Sequence, residues 1–404
     1  MKGLYSISVQ AYFAGIKLAS LFNTKARLWV EGRALKSYPS EFKKNGKCYW
    51  FHCASLGEFE QARPLIEAIK KREECSIILT FFSPSGYEIR KNYSYADWVG
   101  YLPYDNENDC KRFLDIFKPD FVFIVKYEFW FVMLKEIQAR SIKLYLISGL
   151  FRPNQLFFKS YGSWFKDILS KFDYLFVQNK ESLKILNQNG IKNAEFCGDT
   201  RLDRVLEIKA QTPKNPILEN FSKGEKLLIF GSVWPQDLPI LKQVIKNNSE
   251  KRILIAPHNL HDDFIQDLLN ISPNESQRYT KYNSEQESRI LVLDTMGMLA
   301  SAYSLGDIAY VGGGFGKAVH NTMEPAAFGL AIVFGPKYTK FYEAVQLKEL
   351  GAAVSFHSKD ECSKFILGLL KDKSEVHKIG KAAATYVETN AGATSKIIHK
   401  VFSE

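Results

Sequence analysis

Two glutamates stand where buried strand text gives way to a loop. Glu58 closes Ala54-Ser55-Leu56-Gly57-Glu58, just after the apolar run CYWFH at 48–52. Glu128 lies in Lys126-Tyr127-Glu128-Phe129-Trp130, where the run DFVFIVKY at 120–127 emerges. In open α/β sheets such strand-to-helix loops at the carboxyl edge are where ligands bind. A carboxylate at a helix N-terminus is kept ionised by the local dipole, and an ionised carboxylate in a ligand site can take a hydroxyl proton. The same residues carry plainer readings. Ser55 and Glu58 have the S-x-x-E spacing of a capping box, in which both side chains serve helix amides. Glu128 can equally be the ion-pair partner of Lys126 or another base.

A third constellation is Val311-Gly312-Gly313-Gly314-Phe315-Gly316-Lys317, followed by His320-Asn321-Thr322-Met323-Glu324-Pro325-Ala326-Ala327. A glycine loop that leaves a strand and enters a helix offers bare amides and a helix dipole to an anion; the plain alternative is a tight strand-to-helix turn. It is not a P-loop, because three residues separate Gly312 from Gly316 and Ala318 follows the lysine. It is not a dinucleotide fingerprint, because Lys317 occupies the place of the third glycine. Metal motifs are poor. Asp105-x-Glu107-x-Asp109 hints at a calcium loop, but Cys110 stands where glycine is required. There is no Asp-x-Asp, and His258 and His261 lack partners at zinc spacing. No metal site and no cofactor are expected.

The elements that must position these residues alternate. Apolar runs at 48–52, 75–82, 120–127, 143–149 and 173–179 read as strands, with helical text at 58–72 and 105–117. After a Pro- and Gly-bearing lapse near 205–225, read as a linker, strands resume at 226–231, 252–257, 289–294, 307–314 and 330–335. This rhythm predicts an α/β chain of two Rossmann-like domains facing a cleft. Their expected bounds are 34–205 and 206–385, with a terminal helical segment at 386–404. The length of 404 residues suits two domains. A hydrophobic share of 46% and a charged share of 24% exclude a disordered chain, and a mean hydropathy of -0.19 excludes a polytopic membrane protein.

Residues 1–33 form a segment apart. The stretch 3–22 is apolar but broken by Gln10 and Lys17, and Lys25, Arg27 and Arg33 follow it. That pattern suits a helix lying on an anionic bilayer surface rather than spanning it. A signal peptide and a helix packed on its own domain are the other readings. The net charge of +10 fits an anionic partner of some kind. The six cysteines form no Cys-x-x-Cys pair, so a reducing compartment is expected.

Taken in order, ASLGE at 54–58, YEFW at 127–130, GDTRLD at 198–203, GSVWPQD at 231–237, LDTMGML at 293–299 and VGGGFGKAVHNTMEPAAFGLAIVFGP at 311–336 resemble one family. It is the 3-deoxy-D-manno-octulosonic acid (Kdo) transferases of lipopolysaccharide synthesis. The resemblance implies the two-domain GT-B glycosyltransferase fold and metal-independent, inverting transfer of Kdo from CMP-Kdo to a phosphorylated lipid A precursor (lipid IVA). It also implies a peripheral or N-terminally anchored place on the cytoplasmic face of the inner membrane, an anionic membrane surface as partner, and no nucleic acid. By the same resemblance Glu58 is the general base, Glu128 a second essential carboxylate, and Arg201 stands at a transition-state position often held by lysine. Pro257, His258, Met296, Gly297, Met298, Asn321, Thr322, Met323 and Glu324 match CMP-contacting stretches, with Glu324 on the ribose. The chain departs from the family where Ala256 precedes Pro257-His258, where Met298 replaces a common glutamate, and at Ser148-Gly149-Leu150. The rival readings are another nucleotide-sugar donor on this fold, a nucleotide-dependent oxidoreductase, and a non-enzymatic peripheral membrane protein.

Overall fold

The computed structural model describes residues 2–33, 38–159 and 162–403. The start expected for the N-terminal domain at 34 and the last residue of the terminal segment, Glu404, lie outside the described residues. The chain divides into two compact units. The first is Met1–Asp203 together with Gly392–Glu404, and the second is Arg204–Ala391.

The first unit holds seven strands: β1 (Lys47–Cys53), β2 (Cys75–Phe81), β3 (Trp98–Tyr101), β4 (Phe121–Val125), β5 (Lys143–Gly149), β6 (Tyr174–Val177) and β7 (Ala194–Phe196). They form one parallel sheet in the order β3-β2-β1-β4-β5-β6-β7. Every residue of β2 is buried, and so is all of β1 after Lys47. Alternate residues feed two cores, as a sheet covered on both faces requires. Cys48 and Trp50 join the core that includes Phe113, Ile124 and Leu146, while Tyr49, Phe51 and Cys53 join the one that includes Phe59, Ile66 and Val125.

The second unit repeats the plan with β8 (Leu227–Val233), β9 (Ile253–Pro257), β10 (Ser276–Arg278), β11 (Ile290–Val292), β12 (Gly306–Val311), β13 (Ala331–Phe334) and β14 (Ala353–Ser355). Its parallel sheet runs β10-β11-β9-β8-β12-β13-β14. Each sheet therefore contains one place where the chain, having built strands in one direction, turns back to build in the other. In the first unit it is between β1 and β4, in the second between β8 and β12. Right-handed crossovers send the two flanking connections to opposite faces there, and a crevice opens at the carboxyl ends.

The segment 205–225 is not a linker. It folds as the helices Thr200–Gln211 and Pro216–Ser222. Pro216, read as a breaker, sits in the first turn of the second helix, where its missing N–H costs nothing. Asn215 caps that helix through its Oδ1, which accepts from Leu218 N at 3.1 Å, and Leu218 and Phe221 join the core of the second unit. The terminal segment also differs. The helix Lys373–Asn390 runs through 386, and the helix Ala393–Phe402 that follows it belongs to the first unit. There Ala393, Ile397 and Val401 are buried in the core below β1 and β2.

The N-terminal segment forms the helices Lys2–Ala19 and Thr24–Glu31. Part of it packs on its own unit. Tyr5 donates to Asp105 Oδ2 at 2.7 Å and accepts from Phe131 N at 3.0 Å, and Phe13 and Trp29 are buried. Another part stays exposed, notably Ile7, Leu18, Leu21 and Phe22. Asp105 serves here as a helix cap. Its oxygens also accept from Val132 N and Met133 N, which caps the helix Phe131–Ala139.

Docking of the last helix turns on Asp203. Its carboxylate accepts from Gly392 N at 2.5 Å and Thr394 N at 2.7 Å, supplying the cap that Gly392 itself lacks. Asp203→Ala should therefore lower the stability of the first unit by about 1–2 kcal/mol. Urea unfolding followed by tryptophan fluorescence checks this, and an unchanged midpoint would reject the capping role.

Candidate active site

Glu58 and Glu128 flank the crevice of the first unit. Glu58 is the third residue of the helix Leu56–Arg72 that follows β1, and Glu128 sits in the loop that follows β4. β1 and β4 are hydrogen-bonded neighbours, with His52 opposite Ile124, so the two carboxylates share one sheet edge. Both act on the buried thiol of Cys53, whose pKa is pushed up first by burial and then by Glu58 and Glu128.

The capping-box reading of Ser55 and Glu58 does not hold. Ser55 is the N-cap residue, but its side chain caps no amide; its hydroxyl donates instead to Glu58 Oε2. The other oxygen, Oε1, lies 3.8 Å from Lys126 Nζ. Lys126 is thus the partner of Glu58, not of Glu128. It adopts a left-handed backbone conformation (φ 60°) at the end of β4, unusual for a side-chain-bearing residue. Glu128 accepts from Trp130 Nε1 at 2.9 Å and stands 3.5 Å from His52 Nε2. Burial raises its pKa, but His52, Trp130 and the positive field of Arg33 outweigh burial and leave it below the usual carboxylate range.

Arg201 lies in the same unit, with its guanidinium forked onto Asp199. Nε is 3.1 Å from both carboxylate oxygens, and Nη2 is 2.6 Å from Oδ2. Burial raises the Asp199 pKa, yet Arg201 and then Lys126 bring it down overall. Arg201 therefore stands in the first unit as half of a partly buried ion pair. Nothing in the spacing of GDTRLD announces this, because a bidentate pair two residues apart depends on the turn between them.

In the second unit the glycine loop is built for packing. Gly312 N donates to Gly231 O, Gly313 N to Asp237 Oδ2 and Gly316 N to Gly313 O, so these three amides are not available to an anion. Gly313 has a φ of 87°, and a Cβ on Gly314 would stand 2.7 Å from Gly335 N. The glycines let the loop lie directly on the end of β13. Asp237 is the anchor. It is fully buried and also accepts from Trp234 N and from the Tyr310 hydroxyl.

The residues expected to contact nucleotide fall into two groups. Pro257, Thr322 and Met323 are buried and shape the edge from behind. Met298 packs against the core beside Leu299, while Met296 and Gly297 (φ 82°) form an exposed turn. Asn321 Nδ2 donates to Glu324 Oε1 at 2.9 Å, and Asn321 Oδ1 accepts from Met323 N. His258 is stacked on Trp234 with ring centroids 4.0 Å apart, and His320 lies 4.3 Å from His258. Trp234 and His320 were not singled out as site residues from sequence, although both fall inside recognised motifs. Trp234 Nε1 donates to His320 Nε2 at 2.8 Å, so the neutral ring carries its proton on Nδ1. This aromatic platform lies at the β8/β12 crevice. Among the described residues no group of three or more histidine, cysteine, aspartate or glutamate side chains could hold a metal ion.

Residues 30–204 match a family model described as 3-deoxy-D-manno-octulosonic-acid transferase (kdotransferase). A 3-deoxy-D-manno-octulosonic acid transferase of Aquifex aeolicus is 27% identical over 350 residues, covering 84% of this chain and 91% of the relative. One from Chlamydia trachomatis serovar A is 26% identical over 362 residues, covering 82% of each chain. Among solved structures, the UDP-GlcNAc 2-epimerase of Neisseria meningitidis bound to UDP-GlcNAc gives a TM-score of 0.61 at 13% identity, covering 89% of this chain and 100% of that one. At that identity the likeness shows the fold alone.

The histidine platform has a pH signature. Burial first, and then His258, push the His320 pKa down to about 4. In the unfolded chain histidine titrates near 6.5. Between these values the unfolded chain binds the extra proton, so the contribution of His320 to stability is present above about pH 6.5 and lost as pH falls toward about 4. Urea midpoints measured from pH 7 to 4 should fall, and His320→Gln should flatten part of that fall. An identical slope in the variant would overturn the assignment.

Proposed function

We propose that the chain is a 3-deoxy-D-manno-octulosonic acid (Kdo) transferase, a reading supported by the family match over residues 30–204 and by relatives 26–27% identical over most of the chain, and that it moves Kdo from CMP-Kdo to lipid IVA, inverting the anomeric carbon without a metal ion. The observation that carries this reading is the pair of carboxylates at the β1/β4 crevice, inside the stretch that matches the family model. Glu58 removes the proton from an acceptor hydroxyl. The hydroxyl oxygen bonds to the anomeric carbon from the face opposite CMP, and the bond from that carbon to the phosphate oxygen breaks with its electrons passing to CMP. The Ser55 hydroxyl on Oε2 and the Lys126 ammonium near Oε1 hold Glu58 oriented before transfer.

The nucleotide falls to the second unit. Trp234, His258 and His320 offer flat aromatic faces, the usual complement of a planar base. Glu324, oriented by Asn321, accepts from the ribose hydroxyls. With three glycine-loop amides already engaged, charge developing on the departing phosphate is assigned to exposed Lys317 rather than to the loop backbone.

Membrane association belongs to the same reading. Among the described residues no helix is long and apolar enough to cross a membrane. Leu18, Leu21 and Phe22 are 68%, 73% and 93% exposed at the end of the first helix, and Lys17, Lys25 and Arg27 surround them. Apolar side chains ringed by cations suit shallow insertion into the anionic cytoplasmic face of the inner membrane.

Incubation with CMP-Kdo and tetraacyl lipid IVA should give a product heavier by Kdo units, with EDTA leaving the rate unchanged. Turnover with other nucleotide sugars but not CMP-Kdo would sink the donor assignment. Glu58→Gln should reduce turnover by about 10²–10⁴-fold with melting temperature and CMP affinity unchanged; near-normal turnover would move the base to Glu128. Replacing Leu18, Leu21 and Phe22 by serine should release the protein from vesicles containing anionic lipid, and equal vesicle binding would reject the interfacial helix.

A further inference from the structure

The first unit contains a buried polar chain that ends on Glu128. His52, next to last in β1, is 0% exposed. Its register partner on β2 is Thr80, also fully buried. Trp50 Nε1 donates to Thr80 Oγ1 at 2.8 Å, and Thr80 Oγ1 lies 2.9 Å from His52 Nδ1. His52 Nε2 has no hydrogen-bond partner among the described residues, and it stands 3.5 Å from Glu128 Oε2.

Counting protons gives this chain a direction. The Thr80 hydroxyl has one proton to give. Its alternative acceptor, Phe51 O, is 3.4 Å away, much farther than His52 Nδ1. Given to Nδ1, that proton leaves the imidazole proton on Nε2, aimed at the carboxylate. In the opposite tautomer the bare lone pair of buried Nε2 would face a carboxylate oxygen, an arrangement of two acceptors with no proton between them. Trp130 Nε1 donates to the same Oε2, while Oε1 accepts no hydrogen bond among the described residues. Contacts of this kind are often long before substrate binds and tighten in the complex.

We propose that His52 is a positioning residue for Glu128: with its proton order set by Trp50 and Thr80, it clamps Oε2 together with Trp130, so that Oε1 is the oxygen presented to an acceptor hydroxyl. The inference rests on the reading of Glu128 as a site carboxylate and names what orients it. Arg33, buried among Trp29, Phe82 and Tyr101, adds a positive field on Glu128 but no hydrogen bond to it.

The test uses the full chain, CMP-Kdo and lipid IVA, with melting temperature and CMP binding as controls for folding. Gln can place an N–H near the Nε2 position and Asn cannot. His52→Gln should stay within about tenfold of wild-type kcat, whereas His52→Asn should lose about 10²-fold in kcat with CMP affinity unchanged. The double variant His52→Asn/Glu128→Gln should be no slower than Glu128→Gln alone. Wild-type kcat in His52→Asn, or losses that multiply in the double variant, would overturn the positioning role while leaving Glu128 in place. Wild-type turnover in Glu128→Gln would overturn the reading of Glu128 and this inference with it. Should His52→Asn not fold, [¹⁵N]histidine spectra of the wild-type protein decide: a neutral His52 protonated on Nε2 supports the chain, and one protonated on Nδ1 overturns it.

Discussion

In an open parallel sheet the strands on either side of the first-laid pair run their connections over opposite faces, and the carboxyl ends between them have no loop to cover them. Both units of this chain are organised around that constraint. In the first unit the uncovered ends are those of β1 and β4, and in the second those of β8 and β12. Every residue assigned here to proton transfer or to the nucleotide base lies on the loop, or in the first helical turn, that follows one of those strands or a neighbouring strand. The sheets themselves contribute buried apolar mass and direction; the chemistry is confined to the edge that connection geometry leaves open.

Keeping carboxylates at such an edge has a cost, since burial favours their neutral forms. The chain offsets it with hydrogen-bond donors and cations of its own. Asp237 accepts from two backbone amides and a tyrosine hydroxyl. Asp199 takes the Arg201 fork and an amide. Glu128 has Trp130 beside it, with His52 close behind. These groups differ in what they leave unspent. Asp237 is saturated and acts as a strut that ties the glycine loop to the end of β8. Glu128 keeps one oxygen without a protein hydrogen bond among the described residues, as a group with work to do on a ligand would.

Much of the architecture was legible in the residues. The long central strands read correctly because burial on both faces makes them continuous apolar runs, as in IILTF of β2 or FVFIV of β4. The short edge strands β3, β7, β10 and β14 were missed, since a strand of three or four residues paired on one side needs no such run. The segment 205–225 was misread for a related reason: Pro216 interrupts a helix if it stands inside one and opens a helix if it stands first, and only the Asn215 cap and the burial of Phe221 distinguish the cases.

The sequence by itself determined which carboxylates stand at strand ends, because strand length and loop position follow from local hydrophobic patterning. It also carried the motifs that resemble the Kdo transferases. Tertiary structure alone decided what those side chains touch. Lys126 is adjacent to Glu128 in practical terms of sequence, yet its ammonium reaches Glu58, because a left-handed turn at the end of β4 points it toward the neighbouring strand. The glycine loop that promised free amides spends them on Asp237 and on its own turn. His52, unremarkable inside an apolar run, stands behind Glu128 only because β1 and β4 are neighbours in the sheet. Contacts between residues some seventy positions apart depend on strand order and register, which local sequence patterning leaves open.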